Sequence, residues 1–267
     1  MPGASWMAKS RLARSNCLTD SLPRPKALLI DLDGTILADG CRISGRSVDA
    51  IRAADQVIPV AIATGRVFEE TCHYARFLGL RTPQIADNGA RLADPLRGRT
   101  VHELPMPMAS TKTLVRQLEA ENIPYIACDQ GRTVRNGVGF QSWHVSVVIA
   151  CVNSEQQALQ LQRANSSTET IGIVSHADRG DWYVNFSHRD GGKGYGVRAF
   201  AAALGIDPSE VMAIGDGIND LEMFDAVGIP VAMGHAADGI KKRADYVTAS
   251  ISDEGVACAI DRFILNR

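Results

Sequence analysis

The side chains best suited to chemistry fall into two acidic runs. Asp31-Leu32-Asp33-Gly34-Thr35 follows the apolar stretch Ala27-Leu28-Leu29-Ile30, and Gly215-Asp216-Gly217-Ile218-Asn219-Asp220 follows Val211-Met212-Ala213-Ile214. Each apolar stretch reads as a buried strand that ends in carboxylates. In a parallel α/β sheet the strand C-termini border the crevice where ligands bind. Carboxylates gathered there repel one another, and burial sharpens the repulsion, so the group calls for a cation. All-oxygen ligation suits a hard ion such as Mg²⁺. Either run alone would serve equally well to cap a following helix or turn. Two runs, each at the end of an apolar strand, point to a metal site at the top of a sheet.

Three further segments join them in order: Ala61-Ile62-Ala63-Thr64-Gly65-Arg66, then Lys193 within Gly191-Gly192-Lys193-Gly194, then Val231-Ala232-Met233-Gly234 followed by Ala244-Asp245-Tyr246-Val247-Thr248. Taken together, the two acidic runs and the Thr64 and Lys193 segments resemble the four ordered signatures of the haloacid dehalogenase superfamily of phosphohydrolases. The last pair of segments is similar to the downstream strands of its Cof-like sugar-phosphatase branch. The resemblance spans most of residues 26–93 and 187–267. The glycines around Lys193 do not form a Walker A loop, because Ser187 and Gly194 stand where that motif needs Gly and Ser or Thr.

The resemblance implies a role for each residue. Asp31 is the nucleophile, able to attack phosphorus and form an aspartyl-phosphate. Asp33 protonates the leaving alkoxide and then deprotonates the attacking water. Related P-type ATPases carry Thr at that position, so Asp here favours a phosphatase or a mutase. Asp31, Asp216 and the backbone carbonyl of Asp33 are the implied Mg²⁺ ligands. Thr64 and the neighbouring backbone N–H groups at Gly65 and Arg66 hold phosphoryl oxygens, although Thr is also a common helix cap there. Arg66 contacts the phosphate or the substrate body, or else is a solvated residue opening a helix. Lys193 offsets the charge of the acids and the transferring group. Asn219 contacts the phosphoryl group, and Asp220 supports either the metal or Lys193. Asn88, in Asp87-Asn88-Gly89-Ala90, matches an Asn-Gly-Ala near the active site of the Cof-like branch and would otherwise be a turn residue. His235 follows Gly234 where the branch usually has Asn.

The elements that must position these groups alternate from Lys26 onward. Strands are expected at Ala27–Asp31, Val57–Ala63 and Gln84–Asp87, with helices at Ser47–Asp55 and Val67–Leu78, the second ending at Gly79. Such alternation implies βαβ crossovers and a doubly wound, Rossmann-like parallel sheet. Between Asp94 and Phe186 the pattern changes to strand, helix, strand, strand, helix, strand, strand, which suggests an antiparallel α+β module. Alternation resumes at Lys193–Leu204, Val211–Gly215, Leu221–Val227 and Pro230–Met233, with a last helix over Asp253–Leu265. The expected organisation is an α/β core over 26–93 and 187–267, interrupted by an inserted α+β cap over 94–186. By its resemblance the insert is a C2B-type cap, which selects the leaving group. The polar-aromatic cluster His176, Asp178, Arg179, Asp181, Trp182 and Tyr183 is either a clasp for a sugar or an ordinary exposed loop, and one of His188, Arg189 and Asp190, with His188 first, is expected to meet the substrate at the return to the core.

The bulk properties exclude several alternatives. The chain has 267 residues and a formal net charge of −2, which gives no general attraction to nucleic acid or to an anionic membrane. No apolar run is long enough to span a bilayer. Six cysteines without a CxxC pair read as free thiols of a cytoplasmic protein. Residues 1–25 carry four basic residues and no acid before Asp20, and read as a disordered extension, with a weak transit peptide or a start at Met7 as the other readings. The whole implies a Mg²⁺-dependent phosphomonoesterase, monomeric or homodimeric, acting on a small phosphorylated metabolite such as a sugar phosphate. A phosphomutase of the phosphomannomutase type and a non-catalytic sugar-phosphate sensor are the alternative readings.

Overall fold

The structure, a computed structural model, describes residues 24–38, 42–176 and 180–266. Residues 1–23 of the basic extension lie outside that range. The chain begins with β1 (Ala27–Ile30), α1 (Gly45–Asp55), β2 (Val60–Ile62), α2 (Phe68–Leu78) and β3 (Gln84–Ala86). β4 (Arg91–Asp94), β5 (Arg99–Glu103), α3 (Met108–Ala120), β6 (Tyr125–Asp129), β7 (Arg132–Arg135) and β8 (Val145–Val152) follow. Next come α4 (Glu155–Asn165), β9 (Thr170–His176), β10 (Trp182–His188), α5 (Lys193–Leu204) and β11 (Val211–Gly215). The chain closes with α6 (Leu221–Ala226), β12 (Ile229–Ala232), α7 (Asp238–Lys241), β13 (Tyr246–Val247) and α8 (Gly255–Ile260).

The core is a parallel sheet in the order β13-β12-β11-β1-β2. β1 is apolar on both faces because both are covered. Leu28 and Ile30 pack with α1, α2 and α8 through Ile51, Leu78, Val256 and Ile260. Ala27 and Leu29 pack with α5 and α6 through Val197, Phe200 and Phe224. The chain moves from β1 to one side for β2 and returns on the other side for β11, so the topological switch lies at the C-terminal end of β1, where a crevice opens. α2 ends as its sequence implies, with Gly79 left-handed at φ 83°.

Three differences from the sequence pattern stand out. Ala63 pairs with Ile85, so β3 extends the core sheet, and it continues into the antiparallel hairpin β3-β4-β5. Residues 99–103 therefore pair with β4, not with the second sheet. The insert also holds one strand more than the pattern implies, because Gln130 and Gly131 turn left-handed (φ 51° and 82°) and fold β6 onto β7. The expected terminal helix is broken as well. Glu254 is left-handed, its carboxylate accepts from the hydroxyls of Ser44 and Ser47, and a wider π-helical turn replaces the last stretch over Asp261–Leu265.

The second sheet is antiparallel, in the order β7-β6-β8-β10-β9. α3 and α4 cover one face around Leu118, Leu161, Val184 and Phe186. On the other face Cys128 and Val147 are buried against Val67, Phe68 and Cys72 beside α2, and against Ala93 of β4. β9 packs against the turn 218–220, and β10 packs against the turn 87–89. The cap is thus seated on the core along one half of its open face, and its other half covers the crevice. No helix among the described residues is long and apolar enough to cross a membrane.

Candidate active site

Asp31 leaves β1 and Asp216 leaves β11, neighbouring strands in register through Ile30 and Ile214. This pairing brings side chains 185 positions apart in sequence to one point. Carboxylate oxygens of Asp31, Asp216 and Asp220 lie within 4.8 Å of one another. Lys193, the first residue of α5, is 0 % exposed, and its Nζ donates to Asp31 Oδ1 at 2.5 Å and to Asp220 Oδ1 at 2.6 Å. Asp220 also accepts the backbone N–H groups of Asp216 (3.0 Å) and Gly217 (2.9 Å), which closes its loop. Thr35 donates to Asp216 Oδ1 at 2.7 Å, and His235 Nε2 stands 3.8 Å from Asp216 Oδ2. Gly34 is left-handed at φ 81°, and a side chain there would collide with the Asp216 carboxylate.

One ammonium facing three carboxylates leaves negative charge in excess. Burial first, and then repulsion by Asp220, hold the Asp31 carboxyl well above the usual carboxylate range despite Lys193. Burial likewise pushes Asp216 up to about 6, with Asp220 adding to it and the Thr35 hydrogen bond opposing it. Burial pulls Lys193 toward neutrality, but Asp220 and Asp31 outweigh it and hold the ammonium above its usual range. The donor set is all oxygen, compact and under-neutralised, which fits a hard divalent cation. Asp31 and Asp216 belong to this set as the sequence implies. Asp220 adds its side chain while orienting Lys193.

Asp33 stands apart from the buried acids. Its side chain is half exposed, and it forms a two-pronged pair with Arg66, Nε to Oδ2 at 2.9 Å and Nη2 to Oδ1 at 2.6 Å. Arg66 is also stacked 5.2 Å above the Tyr74 ring. Burial works against the charge on Arg66, but the Asp33 bond outweighs it and raises its pKa. Neither Gly65 nor Arg66 opens a helix: α2 starts at Phe68, whose N–H is capped by Asp87 Oδ1 at 2.8 Å. Thr64 is therefore not the helix cap. Its buried hydroxyl accepts the Arg66 N–H at 3.1 Å, and its carbonyl accepts from Asn88 N–H.

Asn88 owes its place to its neighbour. Asp87 and Asn88 are both left-handed (φ 53° and 56°), a costly pair for residues with side chains. Asp87 is held by Arg91 Nε (2.6 Å) and Ser146 Oγ (2.6 Å), and Arg91 in turn pairs with Glu103. This buried network joins the 87–89 turn to β8 of the cap. The Asn88 side-chain nitrogen is buried and meets no hydrogen-bond partner. A Cβ on Gly65 would lie 3.7 Å from Asn185 Oδ1 and 3.9 Å from both Asn88 Oδ1 and Asn219 Nδ2. Three amides from three elements thus meet over Gly65, beside the acid cluster.

The cap residues chosen from the sequence are the weaker part of that reading. Arg179 and Asp178 lie outside the described residues, as does the side chain of His176. Trp182 packs with the apolar cluster beneath α3 and α4, on the face turned from the crevice. In β10 it shares that face with Val184 and Phe186, so it is part of the cap's own core. His188 ends β10 at the return to the core, where its Nδ1 accepts from Asp190 N–H at 3.1 Å. The residue missed is Asn185, on the opposite face. The alternation Trp182-Tyr183-Val184-Asn185-Phe186-Ser187 carries the signal: even positions are apolar and odd positions bear polar groups.

The sequence matches the family of haloacid dehalogenase-like hydrolases over residues 28–146 and 140–260. The chain belongs to the haloacid dehalogenase-like hydrolases. It is an enzyme of that hydrolase family, with the Cof-like features that its segments resemble. It is similar to the 5-amino-6-(5-phospho-D-ribitylamino)uracil phosphatase YitU of Bacillus subtilis, at 27 % identity over 88 % of this chain and 96 % of the relative. It is also similar to a phosphoglycolate phosphatase of Methanothermobacter thermautotrophicus, at 28 % identity over 90 % and 99 %. Its fold matches that of a solved subclass IIB sugar phosphatase with a TM-score of 0.74, at 24 % identity over 89 % and 98 %.

In this haloacid dehalogenase-like hydrolase the space above Gly65 admits a direct test. Gly65 does not need a positive φ, and an added Cβ meets only ordinary contacts, so Gly65→Ala should fold with a Tm close to that of the parent. The methyl group fills the point on which the three amides converge. We expect kcat/KM to fall about tenfold or more, since small misplacements of a reacting group cost that much. Steady-state kinetics beside a thermal melt checks both parts.

Proposed function

We propose that this protein is a Mg²⁺-dependent phosphomonoesterase that hydrolyses a small phosphorylated metabolite, in the first instance a sugar phosphate, through an aspartyl-phosphate on Asp31. It is a hydrolase of phosphoric monoesters. The observation that carries the finer reading is the Lys193 ammonium bridging Asp31 and Asp220, with Asp216 alongside, at the topological switch of the sheet. In this reading residues 26–93 and 187–267 are the catalytic core, and 94–186 form the cap that meets the leaving group.

Asp31, Asp216 and the Asp33 carbonyl would hold Mg²⁺, which when bound neutralises acid charge and polarises the phosphoryl oxygens. Lys193 aims Asp31 and opposes part of the burial that favours its protonated form, and the ionised carboxylate would attack phosphorus. Asp33, half exposed, would give a proton to the leaving oxygen and later take one from water once it is released from its two-pronged pair with Arg66. Thr64, the Gly65 and Arg66 backbone and Asn219 surround the phosphoryl group.

Phosphate release across a panel of phosphorylated metabolites, with Mg²⁺ and with excess EDTA, tests the reading. We expect activity with Mg²⁺ and its loss on chelation, and full activity in EDTA would remove the metal from the proposal. Isomerised substrate without free phosphate would favour a mutase. Affinity for Mg²⁺ should also weaken as pH falls through about 6. The metal must displace a proton from Asp216, whose folded-state pKa is raised to that value, and below it the proton competes. A Mg²⁺ titration followed by thermal shift at pH 5 and pH 7, conditions about one unit either side of that pKa, reads this without relying on turnover.

A further inference from the structure

Asn185 is out of place by every rule of its strand. Asparagine is a poor strand former, yet it sits in the middle of β10, a central strand of the cap sheet. Its cross-strand partners are Ile149 on β8 and Ile173 on β9, and Ile149 pairs in turn with Ile126 on β6. The row Arg135, Ile126, Ile149, Asn185, Ile173 runs across the open face of the cap from the edge strand β7, and Ile126 and Ile149 pack on the apolar patch beside α2. Apart from Arg135 at the sheet edge, Asn185 is the polar member of that row, and it lies where the cap leaves α2 and passes over the crevice.

The amide is also oriented. Asn185 Nδ2 donates to Ser175 Oγ at 3.4 Å on the neighbouring strand, which turns its oxygen toward the space above Gly65. There it meets Asn88 Oδ1 and Asn219 Nδ2, with all three atoms within 4 Å of one point. Two acceptors and one donor around a point describe the partner they suit. A hydroxyl of the leaving group donates to the Asn185 oxygen, while the Asn219 amide stays with the phosphoryl group beside it. A carboxylate only accepts, and would face two amide oxygens with nothing to give them. The two cations at the site are already engaged, Lys193 by Asp31 and Asp220, and Arg66 by Asp33.

We propose that Asn185 is a specificity-determining residue whose amide oxygen receives a hydroxyl of a neutral polyol leaving group, and that it selects against a carboxylated leaving group. The inference rests on the phosphatase reading and names the leaving group that this same site takes. The buried, unpartnered nitrogen of Asn88 is consistent with a site whose polar groups are completed only by substrate.

The test compares three substrates: a hexitol phosphate, phosphoglycolate and para-nitrophenyl phosphate, which has no hydroxyl on its leaving group. In the parent enzyme the hexitol phosphate should exceed phosphoglycolate in kcat/KM by about tenfold or more. Asn185→Ala should lower the ratio of hexitol phosphate to para-nitrophenyl phosphate by about tenfold or more, the cost of one lost hydrogen bond at a desolvated site. Asn185→Asp keeps the acceptor oxygen and should restore most of that ratio, even if added charge slows all three substrates. It also stands in should the alanine variant fail to fold. An unchanged ratio in Asn185→Ala, an equal loss on all substrates, or a parent enzyme that prefers phosphoglycolate would overturn the proposal. A parent enzyme that hydrolyses none of the three would overturn the proposal, while phosphate release from another member of the metabolite panel would leave the phosphatase reading standing.

Discussion

Asp31→Asn should abolish turnover and leave the protein at least as stable as the parent. The amide has nearly the shape of the carboxylate, and its oxygen can still accept from Lys193, but it cannot attack phosphorus. Loss of a nucleophile costs on the order of 10⁴–10⁶ in kcat. The stability argument has the opposite sign from that of an ordinary salt-bridged acid. Burial and Asp220 raise the Asp31 pKa in the folded state above its unfolded value. The folded state therefore binds more protons between those two pKa values, and stability falls as pH rises through that window. Above it the ionised Asp31 is a standing cost, which the neutral amide removes. A melt without Mg²⁺ should show an equal or higher Tm for the variant, and the gap should close toward acid pH. Phosphate release should be at background in the same preparation. Residual activity within about tenfold of the parent would take the nucleophile away from Asp31.

Lys193→Met should be damaging in both respects. The side chain is 0 % exposed and bonded to two acids that are themselves buried. Removing one partner from a buried ionic cluster leaves uncompensated charge and costs roughly 3–5 kcal/mol. For a protein of this size that is a fall in Tm of about 10 °C. Methionine fills the volume, so the loss reports charge and not a cavity. Two rescues follow from that cause. Acid pH should recover part of the stability, because the carboxylates protonate, and Mg²⁺ should recover part at neutral pH by supplying positive charge. Turnover should stay reduced by about 10²–10³ even with saturating Mg²⁺, the range for loss of one preorganised electrostatic contact. An unchanged Tm in the absence of metal would mean that Lys193 does not hold the acids together.

Asp31, Thr64, Lys193, Asp216 and Asp220 were legible in the sequence for a local reason. Each sits at or just past the end of a short apolar strand, or at the head of a helix, and such runs form wherever both faces of a parallel sheet are buried. Strand ends on a parallel sheet gather at one edge, so the presence of the acid cluster followed from the pattern and the order of its segments. The side chain of Asp33 was legible as an acid but not as the partner of Arg66, because that pair depends on how the loop after β1 faces the turn after β2.

The tertiary structure decided what local pattern does not encode. A strand's side chains alternate, and a choice between neighbouring residues is a choice of face. Trp182 looked suited to a sugar ring, yet the pairing of β10 with β8 turns it into the cap's own core and turns Asn185 toward the crevice. The left-handed Asp87 and Asn88 are held by Arg91 and Ser146, contacts that reach across the chain to β8 and leave no mark in the four residues of the turn itself. Sequence alone determined which acids end neighbouring strands and in what order, since apolar runs and their flanking charges are local. The meeting of three amides over Gly65 belongs to the packing of cap on core, because it joins β10, the 87–89 turn and the 218–220 turn, segments that only long-range contacts can bring together.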